Sequence, residues 1–151
     1  MTRVWIESVL EQPTAAVTLR LRQPEIATAF RQPLTQVWNY LRLHPDLRQG
    51  GHNLFLYRDK DAGDLMTVEI GVQVSRAFEG DGEVICSGTP AGMVATALHV
   101  GAYERLVETH ARVQDWCRQQ GHLTAGIDWE TYGDWNDDPA KLETRVSYLL
   151  R

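Results

Sequence analysis

The sequence has little cysteine, no long apolar run and no cluster of basic residues, and each shortage removes a class of protein. Cys86 and Cys117 are the only cysteines among 151 residues and form no C-x-x-C pair, so neither a disulfide framework nor a zinc site is expected. Both read as ordinary core or near-surface thiols. No apolar stretch approaches the roughly 18 residues of a membrane span, and "MTRVWIESVLEQP" lacks the charged-then-apolar order of a secretion signal. A cytoplasmic protein with no membrane partner is expected. Duplex affinity comes from clustered Lys and Arg neutralising phosphates, and a net charge of −5 without such a cluster argues against a nucleic-acid partner. An acidic field mildly favours cationic small molecules, although most of these charges read as simple solubility. Catalytic signatures are also missing: no G-x-S-x-G elbow, no G-x-x-x-x-G-K-[ST] loop and no G-x-G-x-x-G fingerprint. His44, His52, His99, His110 and His122 show no H-E-x-x-H and no carboxylate spacing that predicts metal ligation, so neither metal nor cofactor is expected.

What is present fits one α+β domain over residues 1–151, since 43% hydrophobic and 23% charged residues supply a core and a solvated surface. In "VTLRLR", Val17, Leu19 and Leu21 alternate with Thr18, Arg20 and Arg22, the pattern of a half-buried strand. A helix is predicted from Pro33, as its first residue, to about Leu43, because Pro45 disfavours helical geometry at His44. A hairpin follows, "NLFLYRD" turning through "KDAGD" into "LMTVEIGVQVSRA". The second half repeats this order: "GMVATALHV" as a strand, "AYERLVETHARVQDWCRQQ" as a helix capped by Gly121, then "GIDWETYGDW" and "LETRVSYLL" joined by "NDDPAK". Two strand-helix-strand-strand copies, about 14–76 and 90–151, are therefore expected to share one antiparallel sheet. The Gly-rich segment 78–92 reads as the connector between them. Trp38 falls near Trp116, "LFLY" over "WETY", and Glu69 over Arg145; the last two are either an ion pair across the junction or unrelated surface charges.

The run "GMVATALHVGAYERLVETHARVQDWCRQQGHLTAGIDWETYGDW" resembles the second half of the GyrI-like small-molecule-binding domain, the effector-binding module of some AraC-type and MerR-type regulators that is also found alone. The resemblance rests on His99, Gly101 and Tyr103 in an H-x-G-x-Y turn, on the helix ending in Trp116, and on Glu130 and Tyr132 in E-x-Y. "TVEIGVQV" in the first half agrees more loosely. The resemblance implies helices on one sheet face, a ligand cleft at the junction on the other, and Glu130 as the acid that meets cationic or polar ligands. The sequence departs from the family's pattern in its last strand, where "TRVSYLL" carries Arg145 and no proline. A version standing alone is expected, because about 15 residues precede the first firm strand.

Strand parity puts Asp128, Glu130 and Tyr132 on one face and Ile127 and Trp129 on the other. The latter two are expected against the helices, and Trp116 is likewise assigned to the core. The repeat adds Phe55 and Tyr57 to the face of Glu130, giving an acid among aromatic rings, a receptor for a flat cation. Trp38, Tyr103 and Tyr148 are further candidates for the ligand site, while Trp135 either caps the cleft or covers the hairpin. His110, on the stripe Tyr103, Val107, His110, Val113 and Cys117, reads as a satisfied core histidine. A Glu130 without a partner in the empty site is expected to hold water or to have a raised pKa. Three functions stay open: binding of a small, aromatic, cationic or amphipathic molecule; hydrolysis of a strained or electrophilic molecule with Glu130 activating water; and a gyrase-inhibitor-like role contacting a protein partner.

Overall fold

The computed structural model describes residues 2–48 and 50–151. Its strands are β1 (Val4–Val9), β2 (Gln12–Arg22), β3 (Asn53–Arg58), β4 (Leu65–Gln73), β5 (Ile85–Thr89), β6 (Gly92–Val100), β7 (Thr124–Tyr132) and β8 (Glu143–Leu150). Its helices are α1 (Ile26–Ala29), α2 (Arg31–Leu43) and α3 (Leu106–Gln120), with short 3-10 turns between elements. No helix among the described residues is long and apolar enough to cross a membrane.

All eight strands form one antiparallel sheet in the order β1-β6-β8-β7-β3-β4-β2-β5. Two strand-helix-strand-strand units, β2-α2-β3-β4 and β6-α3-β7-β8, meet where β3 pairs with β7, and the order reads alike outward from that junction. Phe55 lies opposite Glu130 at the centre, with Leu54 opposite Thr131 and Leu56 opposite Trp129 on either side. A residue near the middle of one unit therefore lies next to its counterpart in the other.

Two strands go beyond the expected set. β1 pairs along the outer edge of β6, and β5, inside the expected connector, pairs with the start of β2. Helix α2 starts two residues before Pro33, which sits in its first turn, where a backbone N–H has no helical partner in any case. It ends as expected after Leu43, with His44 outside helical geometry (φ −133°, ψ 64°) before Pro45. Gly121 closes α3 in the left-handed conformation (φ 76°), its N–H reaching back to Arg118.

Both helices pack on the same side of the sheet. The apolar stripe of α2, with Val37 and Leu41 fully buried, lies on Ala15, Val17 and Val72; that of α3, with Val113 and Cys117, lies on Ala95, Ala97, Val146 and Tyr148. Val107, expected on this stripe, is exposed. Between them Phe55, Tyr57, Val68 and Ile70 are covered by Phe30, Leu34 and Tyr132. Leu54, Leu56, Val94 and Trp129 form a separate cluster on the opposite face, packed with Val9, Ile127 and Leu149.

Parity is thus as expected, but its assignment to the helices is reversed. Trp129 is core, yet it lies away from the helices, and Glu130 faces them. Side chains from β1, β3, β6, β7 and β8 bury Trp129 among themselves, so this face needs no helix to be dry. Glu69 and Arg145 do not meet across the junction: Glu69 takes an N–H from Arg58 at 2.9 Å, and Arg145 lies 3.4 Å from Glu7.

Candidate functional site

β7 carries the acid, and a bulge aims it. The register between β7 and β8 shifts between Thr124 and Asp128, where Gly126 takes a positive φ of 83° that a side chain would strain. From Asp128 onward the strand is regular, and Asp128, Glu130 and Tyr132 point toward α3.

Glu130 is 5% exposed, and both of its oxygens are occupied. Oε1 accepts the hydroxyls of Tyr57 and of Tyr132, the latter at 2.6 Å. Oε2 lies 2.7 Å from Nε2 of His110 on α3. The other ring nitrogen, Nδ1, is 2.6 Å from the Tyr148 hydroxyl and 3.7 Å from Asp128. His110, read from sequence as a core histidine, is therefore the partner of the acid. Sequence spacing placed it on the buried stripe, but its partner comes from a strand later in the chain, and helical periodicity gives a face rather than a partner.

The H-x-G-x-Y turn fixes where His110 stands. His99 is buried at the end of β6 and bonds through Nδ1 to the Thr109 hydroxyl at 2.7 Å and through Nε2 to the Ala102 carbonyl at 2.9 Å. The Gly101 N–H reaches the Leu142 carbonyl at 2.8 Å. Thr109 precedes His110, so these bonds lock the first turn of α3 onto the sheet and present the imidazole to Glu130. Tyr103 from the same turn stands edge-on to Tyr132, with ring centres 5.5 Å apart. Phe55 packs against Tyr132 at 4.9 Å and Phe30 against Phe55 at 5.7 Å, extending the aromatic wall across the junction.

Charge follows geometry. Burial pushes the Glu130 pKa up, but the hydrogen bond and charge of His110, with the two tyrosine hydroxyls, outweigh it and hold the carboxyl below its ordinary 4.5. Burial pulls His110 down, and the bond to Glu130 with the charges of Glu130 and Asp128 raises it above 6.5 overall. Both shifts favour the carboxylate–imidazolium form of the pair, the reverse of the raised Glu130 pKa expected for an acid without a partner. Asp128 rises to about 7, chiefly through burial, with Glu130 adding to the rise and His110 opposing it. Burial and the Glu130 charge keep Tyr57 and Tyr132 protonated, as donors, well beyond the usual phenol range.

Of the residues singled out in sequence, Glu130, Tyr132, Phe55, Tyr57, Tyr103 and Tyr148 come together, joined by His110 and Asp128. Trp38 stands apart, bonding Asn53 at 3.0 Å beneath the Arg48 guanidinium. The buried stripes match Pro33, Val37 and Leu41 with Thr109, Val113 and Cys117. Trp38 therefore corresponds to Gln114 rather than to Trp116. Trp135 is 72% exposed and bonds Asp137 in its own turn, so it covers neither cleft nor hairpin.

Glu130 and the side chains bonded to it form a buried cluster. One surface depression of about 660 Å³ lies beside the His99 turn, along Arg105, Thr109 and Arg112, and another of about 480 Å³ lies by Pro45 and Arg48. Neither includes Glu130. Among the described residues, no group of three or more His, Cys, Asp or Glu side chains is placed to hold a metal ion.

The fold is similar to that of the EcmrR C-terminal domain, with a TM-score of 0.83 and 20% identity over 100% of this chain and 98% of that one. Against the EcmrR chain in a DNA complex the TM-score is 0.82, and this chain spans 57% of its length. SAV2435, solved bound to tetraphenylphosphonium, aligns over 99% of this chain and 94% of its own with a TM-score of 0.69 and 13% identity. A hydrolase from Listeria innocua aligns over 99% of this chain and 92% of its own with a TM-score of 0.67 and 12% identity. No curated protein sequence matches. The model of the GyrI-like small molecule binding domain matches residues 6–149, which contain both units of the sheet and every residue of the Glu130 cluster. The chain belongs to the GyrI-like small molecule binding domain family.

Proposed function

We propose that the protein captures a lipophilic, aromatic or amphipathic cation at Glu130, as a cytoplasmic effector-binding or sequestering module that does not itself contact nucleic acid. The observation that carries this reading is a carboxylate held ionised inside a wall of aromatic side chains, Phe55, Tyr57, Tyr132, Tyr148 and Tyr103. Taking an ion out of water costs several kcal/mol in real proteins, and ring faces attract cations in a dry site. Such an arrangement suits a guest that brings positive charge and a large apolar surface. The tetraphenylphosphonium bound to SAV2435 is a guest of that kind. Entry requires the cluster to open, since the resting acid is 5% exposed. Binding is preferred over hydrolysis because both oxygens of Glu130 are engaged and its proton affinity is lowered, which makes it a poor resting base.

Calorimetry with tetraphenylphosphonium, on the native chain and on Glu130→Gln, tests this reading. The variant keeps shape and hydrogen-bonding reach and removes the charge. Its affinity is expected to fall by about 10- to 100-fold, the equivalent of roughly 1.5–3 kcal/mol for a bond to a charged group. The neutral analogue triphenylphosphine oxide should lose far less. Equal affinity of both proteins for the cation would overturn the reading.

A further inference from the structure

His110 occupies the position a ligand's charge would need. Its Nε2 bonds Glu130 Oε2 at 2.7 Å, and its side chain is 18% exposed, so a basic group already meets the acid when no guest is present. We infer that His110 is a resident counter-cation, and that capture of a ligand is an exchange in which an incoming cation takes over the charge of Glu130 and the imidazolium gives up a proton. The inference rests on the proposed cation site at Glu130 and adds how that site is regulated.

Two geometric facts support it. First, His110 has a satisfied state with and without its extra proton. As the imidazolium, Nε2–H donates to Glu130 and Nδ1–H donates to the Tyr148 oxygen 2.6 Å away. After loss of the Nδ1 proton, the Tyr148 hydroxyl can turn and donate to Nδ1, so no buried nitrogen is left without a partner. Second, the proton has a route out. Asp128 Oδ2 lies 3.7 Å from Nδ1, and its side chain is 21% exposed, which places it between the imidazole and solvent. Asp128 titrates at about 7, so near neutrality it can take the proton and pass it to water.

The groups facing His110 set the balance. From β7 come Glu130 and Asp128, both favouring the imidazolium, with Tyr132 beyond them on Glu130. From β3 comes Tyr57, its ring centre 6.4 Å from the imidazole, and after β3 Lys60, which disfavours the imidazolium. From β8 comes Tyr148, near Cys117 on α3 itself. A guest cation beside Glu130 adds a like charge next to His110 and cancels the acid's pull, so proton loss follows. Binding that releases protons tightens as pH rises.

Calorimetry of the native chain with tetraphenylphosphonium, in buffers of different ionisation enthalpy at pH 7, counts the protons. The exchange expects release of about half to one proton per cation, shared between His110 and Asp128, and an affinity that rises by up to about tenfold per pH unit between roughly pH 6 and 8. In His110→Gln, which keeps a hydrogen-bond donor to Glu130, release should shrink to the share of Asp128. The ring nitrogens of His110, followed by NMR, should change from imidazolium to a neutral ring on addition of the cation. Binding that depends on Glu130 but releases no proton, is flat in pH and leaves His110 protonated would overturn the exchange while leaving the cation site intact. Absence of tetraphenylphosphonium binding at every pH would overturn both.

Discussion

The two units build the same scaffold and differ where they meet. Val37 and Leu41 of the first unit sit on the sheet as Val113 and Cys117 of the second do, all buried to 2% exposure or less. Tyr57 and Tyr132 lie at matching places in β3 and β7, and both donate to Glu130 Oε1. Yet the first unit puts Leu34 and Phe55 where the second puts His110 and Glu130. One unit is thus apolar at the junction and the other ionic, and the tyrosine of the apolar unit is lent to the acid of the ionic one. Scaffold and site are separable: the repeat supplies the sheet, and its asymmetry supplies the chemistry.

The largest effect on this comparison should come from His110→Leu, which copies Leu34 into the second unit and leaves Glu130 without its cation. Removing one partner of a buried pair is costly, and a loss of about 3 kcal/mol is expected in chemical denaturation, at the low end because two tyrosines remain. His110→Leu combined with Glu130→Leu should recover most of it. A double variant no more stable than the single one would mean that the ionic junction is not a removable addition to the scaffold.

Next in size is a test of scaffold equivalence. Val37→Ala and Val113→Ala each delete buried methyl groups at 0% exposure, and each should cost about 2 kcal/mol. Costs that differ widely would break the equivalence of the units. Coordinates of residues 14–76 and 90–151 that fail to superpose would do the same.

A smaller effect is expected from pH, all of it from the ionic unit. Glu130, held below 4.5, contributes stability that is present above that value and lost as pH falls. His110, held above 6.5, contributes stability that is present below that value and lost as pH rises through its folded pKa. Asp128, raised from 3.8 to about 7, is favoured when protonated, so its share declines as pH rises from about 4 to 7. Thermal stability should therefore be highest at about pH 4–4.5 and fall toward pH 8. In Asp128→Asn the fall should be smaller by about 1–2 kcal/mol at pH 8. A fall unchanged in that variant would assign it elsewhere.

The smallest expected effect, about 1 kcal/mol, belongs to Tyr57→Phe and Tyr132→Phe, each removing one of two bonds to the same oxygen. Similar costs, and a similar upward shift of the Glu130 pKa by NMR, would sharpen the pairing of the two tyrosines across the junction.

Much of this was legible in the sequence, and the rest was hidden for physical reasons. The alternation of β2, the hairpin of β3 and β4, the Gly121 cap and the match of "LFLY" with "WETY" bring Phe55, Tyr57, Glu130 and Tyr132 together correctly. β1 and β5 were missed because edge strands with one paired side, such as "VWIESV" and "ICSGT", need no clean alternation. Strand parity does not say which face the helices take, and Trp129, the largest apolar residue of β7, is buried without one. A sheet face that buries Leu54, Leu56, Val94 and Trp129 among themselves leaves no trace in strand parity. His110 was visible as a stripe residue, but its bond to Glu130 is a tertiary fact.

The central claim, that the charge of Glu130 is the point of capture, is tested most directly by a structure of the protein with tetraphenylphosphonium. The phosphonium centre is expected within about 6 Å of the Glu130 carboxylate, with its rings against Phe55, Tyr57 and Tyr132. A cation seated beside Arg105 and the His99 turn, or on the Trp129 face, with Glu130 still bonded to His110, would contradict it.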